Sequence, residues 1–504
     1  MDSIVILDFG SQYTQLIGRR VRELGVYSEI IPGDHAPDAS MLRECKGIIL
    51  SGSPWSAYQE GAPRPHPTVL QAGLPVLAIC YGIQRLTLDS GGTVERLSER
   101  EYGRMPVHVL PDKLAGTTTD ARRAWTGAPL RALLNGIPDR FVSWMSHGDS
   151  ITQPGEDWEV LGVSEGDIPA ILAHKTMPWW GLQFHPEVSH CEHGMDILAN
   201  FVFGICGARK GWSMEAYLAQ EAEALRARVG DRKVLLLISG GVDSTVAGAL
   251  LLETLNPEQV YLLYIDTGLM RKAENDEVMR NLRRLGARHL HAVDAEASFL
   301  EALRGVEDPE QKRRIIGDMF VSVQEETVAR LGIPDAFLAQ GTLYTDLIES
   351  GKGVGNKAQV IKSHHNVRSP LIERKRAAGL IIEPLDKLYK DEVRALGRVL
   401  GLPEEIVGRH PFPGPGLGVR ILGEVTKEKC DILREVDSIF IRELRKRGLY
   451  DSIWQAFAVL LPVRSVGVAG DERTYKYVVA LRAIQSEDGM TAQVYPFSMS
   501  DLLE

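Results

Sequence analysis

The 504 residues suffice for two to four domains with substantial cores, and 44% hydrophobic with 25% charged residues is an ordinary globular composition. A net charge of −10 argues against a general nucleic-acid binder, yet leaves room for a small anionic substrate under a local basic lid. Five scattered cysteines (45, 80, 191, 206 and 430) include no close pair at metal-ligand spacing and no disulfide framework, which points to a reducing compartment. Met1-Asp2-Ser3 runs into a strand without a basic leader, and no apolar run approaches ~18 residues. The expectation is a cytoplasmic protein with neither membrane nor nucleic-acid partners.

From residue 1 to about 207, short apolar strands alternate with helices. Ile4-Val5-Ile6-Leu7 precedes Asp8-Phe9-Gly10 and a helix through Leu24; Gly47-Ile48-Ile49-Leu50 precedes a Ser51-Gly52-Ser53-Pro54 turn. Pro75-Val76-Leu77-Ala78-Ile79 runs into Cys80. This predicts an open α/β domain whose functional groups lie at the carboxyl ends of its strands. Cys80 ends a strand and Tyr81-Gly82-Ile83-Gln84 opens a helix, a tight elbow expected to expose the sulfur and favour the thiolate nucleophile. A single Cys is just as readily a small core hydrophobe. Further on, Gly181-Leu182-Gln183-Phe184-His185-Pro186-Glu187-Val188 sets His185 and Glu187 two apart. In extended chain they project to one side, so Glu187 can orient the imidazole while His185 faces the thiol. The plainer alternative is a strand-end His with a solvated Glu.

Ala78-Ile79-Cys80-Tyr81-Gly82-Ile83-Gln84 together with Gln183-Phe184-His185-Pro186-Glu187 resembles the class I (triad) glutamine amidotransferases. The resemblance implies that Cys80 attacks the glutamine amide, His185 shuttles protons and ammonia leaves, with Glu187 completing the catalytic triad. Ser51-Gly52-Ser53-Pro54 resembles the turn that lends an oxyanion-hole amide, a donor typically worth roughly 3 kcal/mol. The chain departs from the pattern at Ala78 and Ser53, where glycine is usual.

Gly204, Gly207 and Gly211 break the pattern at a junction, and an apolar stripe of Met214, Tyr217, Leu218, Leu225 and Val229, interrupted by Glu221, predicts a docking or linker helix. Next come a buried-strand run, Val234-Leu235-Leu236-Leu237-Ile238, the turn Ser239-Gly240-Gly241-Val242-Asp243-Ser244-Thr245, and a helix over 246–255. Strand, glycine turn and helix aim backbone N–H groups at an anion, though an ordinary strand-to-helix turn has the same outline. The turn lacks the Lys of a Walker loop and contains an Asp. It resembles the Ser-Gly-Gly-x-Asp-Ser loop of the ATP pyrophosphatases, which implies that residues 239–245 bind ATP and hold the departing pyrophosphate.

Tyr261-Leu262-Leu263-Tyr264-Ile265-Asp266 predicts the next strand, with Asp266 open to three uses: a ribose, a metal, or a helix cap. Residues 308–317 read as a basic turn entering a helix, and 338–350 lead to a cationic Gly-rich loop at 351–357 suited to cover a triphosphate. His364-His365 is a weak candidate metal pair, and no metal ligand is assigned.

These segments, with Arg409-His410-Pro411-Phe412-Pro413-Gly414-Pro415-Gly416-Leu417, extend the resemblance from residue 3 to the last residues, to the glutamine-hydrolysing GMP synthase family. The fold this implies is α/β: two successive open, mostly parallel α/β domains at 1–207 and 208–399, then a smaller α+β dimerisation domain at 400–504. The resemblance further implies ATP, XMP and glutamine as substrates, Mg²⁺ accompanying ATP, a homodimer, and XMP contacts from Arg313 and Asp471. After Asn366-Val367 the family continues Gly-Gly-Leu-Pro, whereas this chain has Arg368-Ser369-Pro370-Leu371-Ile372-Glu373-Arg374-Lys375-Arg376, a more basic and helical stretch. The family also closes with a Lys-Pro-Pro…Glu-Trp-Glu segment not found before Asp501-Leu502-Leu503-Glu504; either the sequence is a truncated version or another element substitutes, and XMP affinity and dimer formation are expected to depend on which. Two other readings stay open on sequence grounds. One is an ATP pyrophosphatase aminating another acceptor, such as an NAD synthetase; the other is a nucleotide- and glutamine-binding regulator without turnover.

Overall fold

A computed structural model describes residues 1–111, 130–347, 370–412, 414–469, 472–486 and 492–503. The loop at 351–357, His364-His365, Asn366 and Asp471 lie outside the described residues. The chain forms two compact units, Met1–Ala216 and a second comprising Tyr217–Leu347 and the described part of Lys362–Glu504.

In the first unit the strands are β1 (Ser3–Asp8), β2 (Tyr27–Pro32), β3 (Cys45–Leu50), β4 (Val76–Ile79), β5 (Thr93–Val109), β6 (Arg140–Gln153), β7 (Trp158–Ser164), β8 (Pro169–His174) and β9 (Trp179–Leu182). Among the described residues they form one sheet in the order β2-β1-β3-β4-β9-β8-β7-β5-β6. The half from β2 to β9 is parallel, and the half from β8 to β6 is antiparallel. Composition explains the division. β1 and β4 are buried along their whole length, as strands covered on both faces must be. β6 alternates buried and half-buried positions, the mark of a strand covered chiefly on one face. Only the parallel half was anticipated.

In the second unit β10 (Val234–Ile238), β11 (Val260–Asp266), β12 (His289–Asp294), β13 (Phe337–Ala339) and β14 (Ile381–Ile382) make a parallel sheet in the order β12-β11-β10-β13-β14. A separate antiparallel sheet contains β15 (Gln455–Ala469), β16 (Glu472–Gln485) and β17 (Gln493–Val494). One apolar cluster joins Leu235 and Leu263 of the parallel sheet to Leu417, Leu433 and Leu460 further along the chain. Beside it Arg271 and Arg420 share Asp437, each at 3.2 Å, and the Phe412 ring lies against both guanidiniums, at 4.7 and 4.5 Å.

Three local expectations need correction. Residues 308–317 are not a turn: Asp308 caps the helix Pro309–Leu331 by accepting from Gln311 N at 2.7 Å, so the charged run is its first two turns. Two lysines from basic stretches are structural rather than surface cations. Lys312 is buried and its Nζ donates to the Ile421 carbonyl at 2.8 Å, and Lys375 in the helix Pro370–Ala377 donates to the Pro334 carbonyl at 2.6 Å. Gly204 does not break the chain's helical path but sits in a π-helical stretch, Asn200–Ile205. The junction helix itself spans Met214–Val229, as its apolar stripe predicts.

Candidate active sites

The carboxyl ends of β1, β3, β4 and β9 deliver the first site. Cys80 follows β4 and caps the helix Tyr81–Asp89 in a rarely populated backbone conformation, φ 50° and ψ −105°. A non-glycine residue held there stores strain of order 1–3 kcal/mol, which persists where the surroundings over-determine the position. Its amide donates to the Leu182 carbonyl at 2.7 Å, which fixes the elbow to β9. The sulfur is not exposed as expected: Cys80 is only 6% accessible. Ser146 O lies 4.0 Å from Sγ, and Gln183 Nε2 lies 3.9 Å away, so neighbouring polar groups cover what an isolated elbow would leave open. Tyr81 N–H, at the helix's first turn, is among the amides that an intrahelical partner cannot satisfy.

His185 and Glu187 come together, with Nδ1 2.7 Å from Oε1 and both side chains buried. The backbone between them is a turn after β9 and not the extended chain invoked to predict the pairing. Tyr13 meets the His185 ring edge-on at 4.8 Å, and Arg20 Nε donates to the Glu187 carbonyl at 2.9 Å. Burial opposes charge on the imidazole, but Glu187 and Cys80 outweigh it and hold His185 well above the ordinary histidine range. A Cβ on Gly52 would lie 3.4 Å from His185 Cε1, so the Ser51-Gly52-Ser53 turn borders the same space.

The turn bearing Glu187 is held from behind by Gly194, where a Cβ would lie 2.0 Å from the Pro186 carbonyl oxygen. Gly194→Ala must therefore displace that turn. We expect a stability loss of about 1–3 kcal/mol from overpacking, with Glu187 drawn away from His185. Thermal melts, paired with histidine NMR for the His185–Glu187 contact, check this.

In the second unit, Gly240 adopts φ +79° and a Cβ there would lie 2.5 Å from Val278 Cγ2, so glycine is required twice over. The Ser239 and Ser244 hydroxyls are 3.2 Å apart, and Thr245 Oγ1 donates to the Gly241 carbonyl at 2.8 Å. The helix Val242–Thr254 begins inside the turn, four residues earlier than its Ala- and Leu-rich part suggests. Asp243 extends to Lys390 Nζ, 2.5 Å from both carboxylate oxygens. Lys390 opens the helix Lys390–Val399, so two helix N-termini and a lysine meet at one point. Arg409 supports the turn from behind, donating to the Gly240 carbonyl at 3.3 Å and pairing with Glu274 at 3.0 Å.

A glutamine amidotransferase class-I model matches residues 5–205, and a GMP synthase C terminal domain model matches residues 442–504. The glutamine-hydrolysing GMP synthase of Aquifex aeolicus is 48% identical over 97% of this chain and 91% of its own length. That of Symbiobacterium thermophilum is 49% identical over 100% and 93%, and that of Brucella suis 48% over 99% and 92%. This chain belongs to the glutamine-hydrolysing GMP synthase family.

For this GMP synthase family member, Lys390 is the residue that sequence reasoning missed. A lysine in a helix's first turn opposes the helix dipole, and that local disadvantage was the available signal. Of the two expected XMP contacts, Arg313 lies on the helix Pro309–Leu331, partly exposed and paired with Glu310. Of the three uses anticipated for Asp266, the structure bears on the helix cap: the following helix, Glu274–Arg284, has Ala273 at its N-cap. The Asp266 carboxylate accepts from Gly268 N at 2.9 Å and from the Asn275 side chain, tying the end of β11 to the helix Glu274–Arg284. No group of three or more His, Cys, Asp or Glu suited to a metal occurs among the described residues.

Proposed function

We propose that the chain converts XMP to GMP, using ATP and ammonia released from glutamine, and gives AMP, pyrophosphate and glutamate. The observation that carries the reading is full-length identity near one half to glutamine-hydrolysing GMP synthases, on a chain whose two units each hold a candidate site. The segment 1–207 carries the glutaminase, 208–399 the ATP pyrophosphatase, and 400–504 the dimerisation and XMP elements.

In the glutaminase, Cys80 Sγ attacks the side-chain carbonyl carbon of glutamine, and the oxyanion is met by amides near Gly52 and Tyr81. His185 receives the thiol proton and returns it to the leaving nitrogen, releasing ammonia. Water then cleaves the thioester, and Glu187 keeps the ring oriented throughout. In the synthetase, the 239–245 turn binds the β and γ phosphates while XMP O2 attacks the α phosphorus. A purine carbonyl oxygen leaves poorly; adenylylation makes it part of AMP, which ammonia displaces at C2. Lys390 supplies the phosphate-facing cation that the turn itself lacks.

Mg²⁺ binds through few protein carboxylates plus substrate phosphates and water, and Asp243, a hard oxygen donor at the turn, fits that demand. Held there with ATP, Mg²⁺ would supply positive charge to offset that of the departing pyrophosphate. Arg313 and Asp471 contact XMP in this reading. Homodimer formation is supported by apolar side chains left exposed towards the chain's end, among them Val466 (58%), Leu481 (58%) and Val494 (81%). A cytoplasmic setting agrees with the free cysteines and with the lack of any membrane-spanning helix among the described residues.

The test is to incubate the protein with ATP, Mg²⁺ and ammonia, with and without XMP, following pyrophosphate and AMP. XMP-dependent release of both is expected. Release requiring another acceptor would favour an NAD-synthetase-like role, and formation of ADP with orthophosphate would reject the pyrophosphatase assignment.

A further inference from the structure

Antiparallel pairing of β5 and β6 sets Arg96 opposite Asp149 and Glu101 opposite His147, so residues 97–100 occupy a single step of β6 at Gly148. After this excursion the strand turns Glu101 inwards. Glu101 and His147 are only 5% and 4% exposed, and Glu101 Oε2 lies 3.1 Å from His147 Nε2. Desolvating a carboxylate and an imidazole is costly, and a well-packed apolar pair would hold a hairpin at least as well. Sheet stability alone therefore gives a poor account of the pair.

Its other contacts lead to the nucleophile. His147 Nδ1 is 3.0 Å from the Asp149 carbonyl oxygen, while Nε2 and Glu101 Oε2 are close ionisable neighbours that make no aligned hydrogen bond. The same carbonyl accepts from Gln84 Nε2 at 2.7 Å. Gln84 Nε2 lies 3.3 Å from Gln183 Oε1, and Gln183 Nε2 lies 3.9 Å from Cys80 Sγ. One residue before His147, the Ser146 carbonyl lies 4.0 Å from Cys80 Sγ. The segment that Glu101 anchors is thus a wall of the space where any group joined to Sγ must fit.

We propose that Glu101 and His147 are a positioning pair for the glutaminase, fixing this wall and, through the Asp149 carbonyl, the Gln84–Gln183 amides beside the nucleophile. The proposal rests on the glutaminase reading above. Neither residue touches the reacting atoms. Their loss should loosen glutamine binding and leave the synthetase step, assigned to the other unit, alone.

The experiment uses the full-length protein with Glu101→Gln, His147→Gln and the double substitution. KM for glutamine and kcat are measured by glutamate release, ammonia-driven GMP formation in parallel, and Tm for each variant. Either single substitution is expected to raise KM for glutamine at least about fivefold, with ammonia-driven synthesis within about twofold of the parent. The double variant should be no worse than the poorer single one, because the two act as a unit. An unchanged KM in folded variants overturns the proposal. So does a parallel fall of both activities with Tm, which would mark the pair as purely structural. If the parent enzyme releases no glutamate from glutamine, the glutaminase reading falls and the pair's role falls with it.

Discussion

Cys80→Ala is expected to lower glutamine-driven GMP formation by about 10⁴-fold or more, while synthesis from ammonium salts stays within about twofold of the parent. The loss corresponds to about 5 kcal/mol of transition-state stabilisation. Triad residues act as a unit, so the nucleophile's removal is not made good by its partners. Alanine retains the Cβ, and the elbow's bonds, the Cys80 amide to Leu182 O and Gln84 N to Cys80 O, are backbone bonds that survive the change. The fold should therefore persist, with Tm near the parent's. His185 should answer separately: its raised pKa depends in part on Cys80, so removing the sulfur is expected to bring the imidazole down towards the ordinary range. Histidine NMR titration reads that shift. Loss of ammonia-driven synthesis in a folded Cys80→Ala protein would reject the division into two sites.

What could be read beforehand depended on how local each signal is. Val234–Ile238 is legible because an unbroken apolar run of strand length, ending on Gly-Gly, has few other uses. His185 and Glu187 were paired from their spacing, yet the geometry responsible is a turn, with Nδ1 and Oε1 meeting at 2.7 Å. Spacing narrowed the candidates, and the tertiary surroundings supplied the contact. The antiparallel half of the first sheet was not legible. β5 carries charged residues that resemble loop composition, and the burial of one of them, Glu101, follows from pairing with β6. Lys312 and Lys375 failed for a related reason: each is buried because carbonyl groups from distant segments receive its ammonium, 109 residues away in the case of Ile421 and 41 in that of Pro334. Burial of Cys80 likewise depends on Ser146, 66 residues further along. A long side chain's partner in another segment leaves little trace in its own neighbourhood.

Lys390 illustrates the same limit, since it reaches Asp243 across 147 residues, and it carries the second large expected effect. Lys390→Met keeps much of the side chain's length and removes its charge. We expect glutamine-driven and ammonia-driven GMP formation to fall together by about 10²–10³-fold, the cost of losing one preorganised charge partner of a transition state. The two should fall by the same factor because, in the proposed mechanism, adenylylation of XMP precedes any use of ammonia. Stability should hardly move. Lys390 is 41% exposed at the side chain and Asp243 30%, so the pair belongs with ion pairs worth about 0–1 kcal/mol after solvent screening. Its removal also relieves a cation at a helix N-terminus. Lys390→Arg retains the charge with a different reach and should recover part of the rate. XMP-dependent pyrophosphate release is the direct measurement. A Met variant with synthesis within about threefold of the parent would mean that Lys390 merely neutralises Asp243, and that the glycine turn stabilises pyrophosphate with its amides and hydroxyls alone.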